Sequence, residues 1–153
     1  MQMEGLINMD DTLPVKIRPA INSDYPYILA SFTRELHKVV PYNFMSNKSF
    51  FPYYTKLINA ILYKSNITVA CLEDNEEDIA GYLIASDYNK DNLIVYWGQT
   101  KAIFRRLGIM KLLLEPYNYK NKNLICPHYF NLFKKLRESY SLIFDPTILE
   151  GIL

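Results

Sequence analysis

The sequence has 153 residues, half of them hydrophobic, and its 17 basic residues nearly balance its 16 acidic ones. This length fits one domain with a substantial core, and the net charge of +1 argues against a protein whose main role is to coat nucleic acid or an anionic membrane. Two cysteines are too few for a disulfide framework, so we expect Cys71 and Cys126 to be buried free thiols.

The first 13 residues predict a loose extension ahead of a single domain over residues 14–153. They lack the basic segment and the long apolar stretch of a signal peptide. Because no apolar run approaches the ~18 residues that cross a bilayer, we expect a cytoplasmic protein without a membrane partner. We find no metal-ligand spacing and no motif for specific nucleic-acid binding.

The N-terminal part predicts one strand followed by two helices. VKIR (15–18) alternates as a short strand does. Capping residues and Pro26 then predict a helix over about 24–38. Residues 41–49 predict a loop, and the helical spacing of apolar residues over 54–62 predicts the second helix.

Three strands, a helix and a fourth strand are predicted next. ITVACL (67–72) and IAGYLIA (79–85) flank an acidic turn, and LIVYW (93–97) is a continuous apolar run typical of a central strand. A helix over 103–115 and a short strand over 124–126 follow. This order predicts an antiparallel meander and then a parallel, right-handed crossover.

The C-terminal part predicts a last helix, marked by apolar residues from Tyr129 to Tyr140, and a final strand around Leu142 to Phe144. The whole order of elements predicts a mixed α/β fold around one central sheet.

One stretch after the central strand, KAIFRRLGIMKLLL (101–114), carries the clearest chemistry. The N–H groups at a helix start attract anions, and Gly108 lets a ligand approach the backbone closely. Lys101, Arg105 and Arg106 add positive charge nearby. Because α/β sheets bind ligands at the carboxyl ends of their strands, these features predict a site for phosphate or pyrophosphate. A basic surface helix with one tolerated glycine is the alternative.

The segment Arg105-Arg106-Leu107-Gly108-Ile109-Met110 resembles the acyl-CoA-binding motif Arg/Gln-x-x-Gly-x-Gly/Ala of the GNAT (general N-acetyltransferase) superfamily. LIVYWGQTKAIF is similar to the family's fourth strand, VKIRPAINSDYPYILASF to its first strand and helix, and ITVACLEDNEEDIAGYLIASD to its second and third strands. The resemblance spans about residues 15–115 and is nearest to the small GNAT-like proteins of bacteriophages. It implies a mostly antiparallel sheet that splays between strands four and five, with helices on both faces.

The resemblance also implies acetyl-CoA as co-substrate. Backbone amides from Arg106 to Met110 would hold the pyrophosphate, and residues 98–100, which include Gln99 and Thr100, would pair with the pantetheine arm as an extra strand does. The implied activity is N-acyl transfer, most simply of an acetyl group, to an unidentified amine; a homodimer is left open. Met110 replaces the usual glycine or alanine, and it either crowds the pyrophosphate or faces the core.

Transfer to an amine needs a base for the amine and an acid for the departing thiolate. The family often uses a carboxylate near strand four and a tyrosine in the last helix, but LIVYWGQTK contains no carboxylate and Phe133 stands where the tyrosine would be. The remaining candidates are Tyr129, with Tyr140 as an alternative acid, and His128, whose side chain ordinarily titrates near neutrality. These departures keep a second interpretation open: an inactive GNAT-fold module that binds a partner such as a host protein, or that binds CoA without turnover.

Overall fold

A computed structural model describes residues 14–128 and 140–153 of the chain. They form a six-stranded sheet in which the spatial order follows the sequence. The strands are β1 (Val15–Pro19), β2 (Asn66–Leu72), β3 (Asn75–Asn89), β4 (Asn92–Thr100), β5 (Asn123–Cys126) and β6 (Leu142–Phe144). The helices are α1 (Tyr25–Leu36), α2 (Asn47–Lys64) and α3 (Ile109–Leu114).

The sheet is mixed. The three pairs β1–β2, β2–β3 and β3–β4 are antiparallel, whereas β5 is parallel to both β4 and β6. The predicted fold class, the antiparallel meander and the parallel β4–β5 pair are therefore confirmed. None of the helices in the described part of the chain is long and apolar enough to cross a membrane.

Helices cover both faces of the sheet. Gly81 and Tyr82 are neighbours on β3, and side chains that follow one another on a strand point to opposite faces. A Cβ atom on Gly81 would lie 3.3 Å from Ile109 Cγ2 at the start of α3, whereas the hydroxyl of Tyr82 lies 2.7 Å from Ser31 Oγ on α1. Helices α1 and α3 consequently bury opposite faces, and α2 packs beside α1.

The predicted boundaries of the first two helices need correction. Helix α1 ends at Leu36 rather than at residue 38. Helix α2 begins at Asn47, within the predicted loop over 41–49, because the side chain of Ser46 accepts a hydrogen bond from the N–H of Ser49 at 3.2 Å and so caps the helix. A 3₁₀ turn over Tyr42–Phe44 occupies half of what remains of that loop.

The predicted helix over 103–115 is wrong in its first half. A 3₁₀ turn over Ala102–Phe104 comes first, and α3 begins only at Ile109. Arg106 and Gly108 have φ angles of 66° and 80°, which a right-handed helix cannot contain. Ile103, the first residue of the predicted helix, lies in this 3₁₀ turn and is 61% exposed.

A buried ion pair ties β1 to the start of α1. Arg18 donates from both terminal nitrogens to the carboxylate of Asp24, at 2.6 and 3.1 Å, and the N–H of Ile21 donates to it at 2.8 Å. The side chains of Arg18 and Asp24 are only 14% and 5% exposed. Burial opposes the charged carboxylate, but the hydrogen bonds outweigh burial, so the pKa of Asp24 lies below its ordinary value.

Candidate functional site

The sheet opens between β4 and β5. The two strands pair only where Asn92 to Ile94 lie beside Asn123 to Ile125, although β4 continues to Thr100. Within the two described stretches, no strand pairs with this edge of β4 from Val95 onward. The predicted splay is therefore present, and it leaves a strand edge that can accept an extended ligand.

Strand alternation decides which backbone groups face the opening. The N–H of Lys101 donates to the carbonyl of Ala80 at 2.8 Å, and antiparallel pairing bonds every second residue to the same neighbour. The backbone groups of Gln99 therefore point to β3, whereas those of Gly98 and Thr100 point into the opening. The carbonyl of Thr100 accepts a hydrogen bond from Arg105 Nε at 3.2 Å.

The loop that follows β4 offers unpaired amides. In the part of the chain that the structure describes, none of the N–H groups of residues 106–111 donates to a backbone carbonyl. Left-handed residues such as Arg106 and Gly108 turn successive amides toward one point, which is how backbone anion sites are built. Apart from Gly108 and its immediate surroundings in the chain, none of the described residues has an atom within 4 Å of a Cβ atom built on Gly108, so the space beside this glycine is open.

The positive charges near this loop are not equivalent. Lys101 pairs with Asp78 at 3.6 Å and lies over the ring of Tyr27, 5.3 Å from its centroid. Arg106 and Lys111 are exposed, and neither has an ion-pair partner among the described residues. They are therefore the two cations best placed to meet an anion at the loop.

The apolar residues of the motif face inward. Ile109 is buried against β3, while Leu107 and Met110 are partly buried and pack against the core. This placement agrees with the alternative in which Met110 faces the core, because its side chain then leaves the open space beside Gly108 free.

A polar network that sequence reasoning missed fixes the end of β4. Gln99 Oε1 accepts hydrogen bonds from Trp97 Nε1 and from the Tyr82 hydroxyl, both at 3.1 Å, and Tyr82 in turn contacts Ser31. Burial raises the pKa of Tyr82 well above its ordinary value, so its phenol stays protonated. The sequence feature that could have revealed this network is the two-residue spacing of Trp97 and Gln99, which places both side chains on one face of the strand.

His128 comes just after β5 and packs against Trp97, which lies on β4 past its pairing with β5. Its side chain is 1% exposed and is surrounded edge-on by the rings of Phe32, Trp97 and Tyr42, with centroids 5.8 to 6.2 Å away. The Tyr42 hydroxyl lies 3.2 Å from Nδ1, whereas Nε2 is buried and has no hydrogen-bond partner among the described residues. Burial lowers the pKa of His128 from 6.5 to about 4, so the ring is neutral near neutral pH.

Of the two tyrosines predicted as the acid, the structure describes Tyr140 and not Tyr129. The hydroxyl of Tyr140 lies 3.3 Å from that of Tyr119, and Tyr129 and Phe133 fall outside the described residues. Cys71 and Cys126 are buried and free, as predicted. Burial raises the pKa of the Cys126 thiol to about 12, which makes it a poor nucleophile.

The mixed sheet, its opening between β4 and β5, and helices on both faces define a GNAT-like fold. No family model and no curated protein sequence matches this chain, so the fold rests on three-dimensional similarity.

Among solved structures, the chain is similar to a "putative acetyl transferase" from Pyrococcus furiosus, at 14% identity over 81% of this chain and 89% of that chain, with a TM-score of 0.61. It is also similar to a "putative acetyltransferase" from Bacillus subtilis, at 15% identity over 81% and 87% of the two chains, with a TM-score of 0.59. A "possible acetyltransferase" from Clostridium difficile matches at 16% identity over 86% and 93%, with a TM-score of 0.53. At such low identity these similarities establish the fold.

Proposed function

We propose that this chain is an acyl-CoA-dependent N-acyltransferase that transfers an acetyl group from acetyl-CoA to an amine. The observation that carries the proposal is the unpaired edge of β4, which runs directly into a loop with unpaired amides and exposed cations. An extended amide-containing arm that ends in a pyrophosphate complements both features. Coenzyme A has this shape and chemistry.

Each part of the proposed site has its own role. The backbone of Gly98 hydrogen-bonds the pantetheine arm, because its N–H and C=O face the opening. The amides of residues 106–110 hold the pyrophosphate, and Arg106 and Lys111 supply charge. Helix α3 has only six residues, so its dipole is small and the amides themselves carry the binding.

In the proposed reaction the amine nitrogen attacks the thioester carbonyl carbon. The new C–N bond forms as the C–S bond breaks, the amine loses a proton, and the thiolate gains one. Tyr129 is the proposed donor to the thiolate, and His128 is the polar group beside the reacting carbonyl.

Two nearly isosteric substitutions test the binding site. Asn and Asp both tolerate the left-handed backbone of Gly108, so Gly108→Asn adds bulk and Gly108→Asp adds the same bulk with a negative charge. By calorimetric titration with acetyl-CoA, we expect Gly108→Asp to bind at least about fivefold more weakly than Gly108→Asn, since like charges at close range cost about 1 kcal/mol or more. Wild-type affinity in Gly108→Asp would refute this site, and no heat from the wild type at high micromolar acetyl-CoA would refute CoA binding.

A second candidate function is the catalytically inactive GNAT-fold module, and the composition of β4 favours it. The nine residues of β4 include no carboxylate that could serve as a base. Acetyl-CoA binding without CoA release across a panel of amines would support this candidate, whereas CoA release would exclude it. The nearness to bacteriophage proteins, the cytoplasmic location and the homodimer remain predictions.

A further inference from the structure

The contact between Tyr42 and His128 joins residues 86 positions apart in the sequence. We propose that Tyr42 is a positioning residue that holds His128 in the tautomer with its proton on Nε2, so that a neutral N–H donor with no partner among the described residues is kept beside Trp97, on the part of β4 that lies past its pairing with β5. This inference rests on the proposed function for its role in catalysis, but the tautomer itself can be tested without any turnover.

The number of unmatched polar groups favours the Tyr42 hydroxyl as the donor and Nδ1 of His128 as the acceptor. If the Tyr42 hydroxyl donates to Nδ1, only the Nε2–H is left unpaired. If Nδ1–H donates instead, the Tyr42 hydroxyl hydrogen and the lone pair of Nε2 are both left unmatched, since the hydroxyl has no other partner among the described residues. Each unmatched polar group in a buried site costs about 1–3 kcal/mol, so the first arrangement is the more stable one.

The surroundings hold both rings in place. The 3₁₀ turn that carries Tyr42 is fixed by His37, whose Nε2–H donates to the carbonyl of Met45 at 2.8 Å. The Tyr42 ring also meets Phe50 and Tyr54 edge-on, with centroids 6.3 and 5.1 Å away. Because packing fixes Tyr42, its hydroxyl is presented to Nδ1 without further ordering.

The charge state of the two groups matches this role. Burial raises the pKa of Tyr42 to about 12, and the burial of His128 keeps its ring neutral near neutral pH. The pair therefore presents an uncharged donor whose direction does not change around neutrality.

A neutral donor suits the step in which the amine attacks. Attack places negative charge on the carbonyl oxygen, and a preorganised N–H aimed at that charge stabilises it. His128 keeps its proton throughout: the C–S bond breaks, the amine's proton passes to water, and Tyr129 protonates the thiolate as proposed above. Tyr42 acts only through His128.

Nitrogen NMR of imidazole-labelled protein tests the tautomer directly. We expect the wild type to show His128 with hydrogen on Nε2, like His37, whose Nε2–H bond to Met45 supplies an internal reference; a His128→Gln variant, which leaves His37 as the one remaining histidine, assigns the two rings. In Tyr42→Phe, His128 should become a mixture of tautomers. A hydrogen on Nδ1 in the wild type, or no change in Tyr42→Phe, overturns the proposal whether or not the protein is an enzyme.

Kinetics then test the consequence. We expect Tyr42→Phe to lower kcat by about tenfold to a hundredfold with an unchanged KM for acetyl-CoA, and the double variant Tyr42→Phe/His128→Gln to match His128→Gln alone. Tyr54→Phe is the matched control, since it removes a neighbouring phenol that has no hydrogen bond to His128. A wild-type kcat in Tyr42→Phe, in an enzyme that turns over, would rule out the catalytic role. Absence of turnover in the wild type would instead overturn the proposed function and leave the NMR result to decide the tautomer.

Discussion

Replacing His128 by glutamine is expected to change how the stability of the protein depends on pH. In the folded state burial lowers the pKa of His128 to about 4, and unfolding returns it to about 6.5. Between these values the unfolded chain binds a proton that the folded chain does not. Acidification through this range therefore favours unfolding.

The size of the effect follows from the two pKa values. Each pKa unit corresponds to 1.36 kcal/mol, so the contribution of His128 approaches about 3 kcal/mol once both states have titrated. Between about pH 7 and about pH 4.5 the wild type should lose about 2 kcal/mol more stability than His128→Gln does. The contribution is fully present above pH 6.5 and is lost as the pH falls toward 4.

Urea denaturation of both proteins at several pH values measures this difference. His37→Gln is the control, because it keeps the contribution of His128 while removing the other histidine. A stability difference between wild type and His128→Gln that stays constant from neutral to acidic pH would mean that the folded protein accepts the proton on His128 as readily as the unfolded chain does. Burial would then not lower the pKa of His128 in the folded protein.

Two further predictions concern the framework of the site. Asp24→Asn should reduce the free energy of unfolding by about 3 kcal/mol, because it leaves Arg18 buried without its carboxylate. The control Glu35→Gln removes an exposed ion pair and should cost less than about 0.5 kcal/mol. Equal urea midpoints for Asp24→Asn and Glu35→Gln would contradict the first value. Gly81→Ala should lower stability by about 1–2 kcal/mol, because its Cβ would stand 2.8 Å from the carbonyl oxygen of Gln99. An unchanged thermal midpoint would show that β3 and β4 separate without cost.

The sequence allowed the order of the elements to be predicted better than their extents. Apolar patterning marks the buried middle of a strand, so β3 was recognised at residues 79–85. The structure extends it to Asn75–Asn89, because strand pairing uses backbone groups and continues where polar side chains leave the core. Helix α2 likewise begins seven residues before its apolar pattern, at a cap made by Ser46.

Part of the candidate site could likewise be predicted from the sequence, and part could not. Local sequence identified Gly108 as a special position, and its left-handed backbone explains both the glycine and the failure of the predicted helix around it. The Tyr42–His128 contact and the network around Gln99 depend on how distant segments pack. No spacing rule connects residues that meet only after the sheet and α1 have assembled.

The position of Trp97 gives the protein a built-in optical reporter. It is the single tryptophan of the chain, it stacks on Phe32 with ring centroids 4.8 Å apart, and it meets His128 edge-on at 6.2 Å. Because Trp97 lies on β4 past the point where β4 and β5 stop pairing, its fluorescence reports on the opening between these two strands. Ligand entry and protonation of His128 can therefore both be followed in the unlabelled protein.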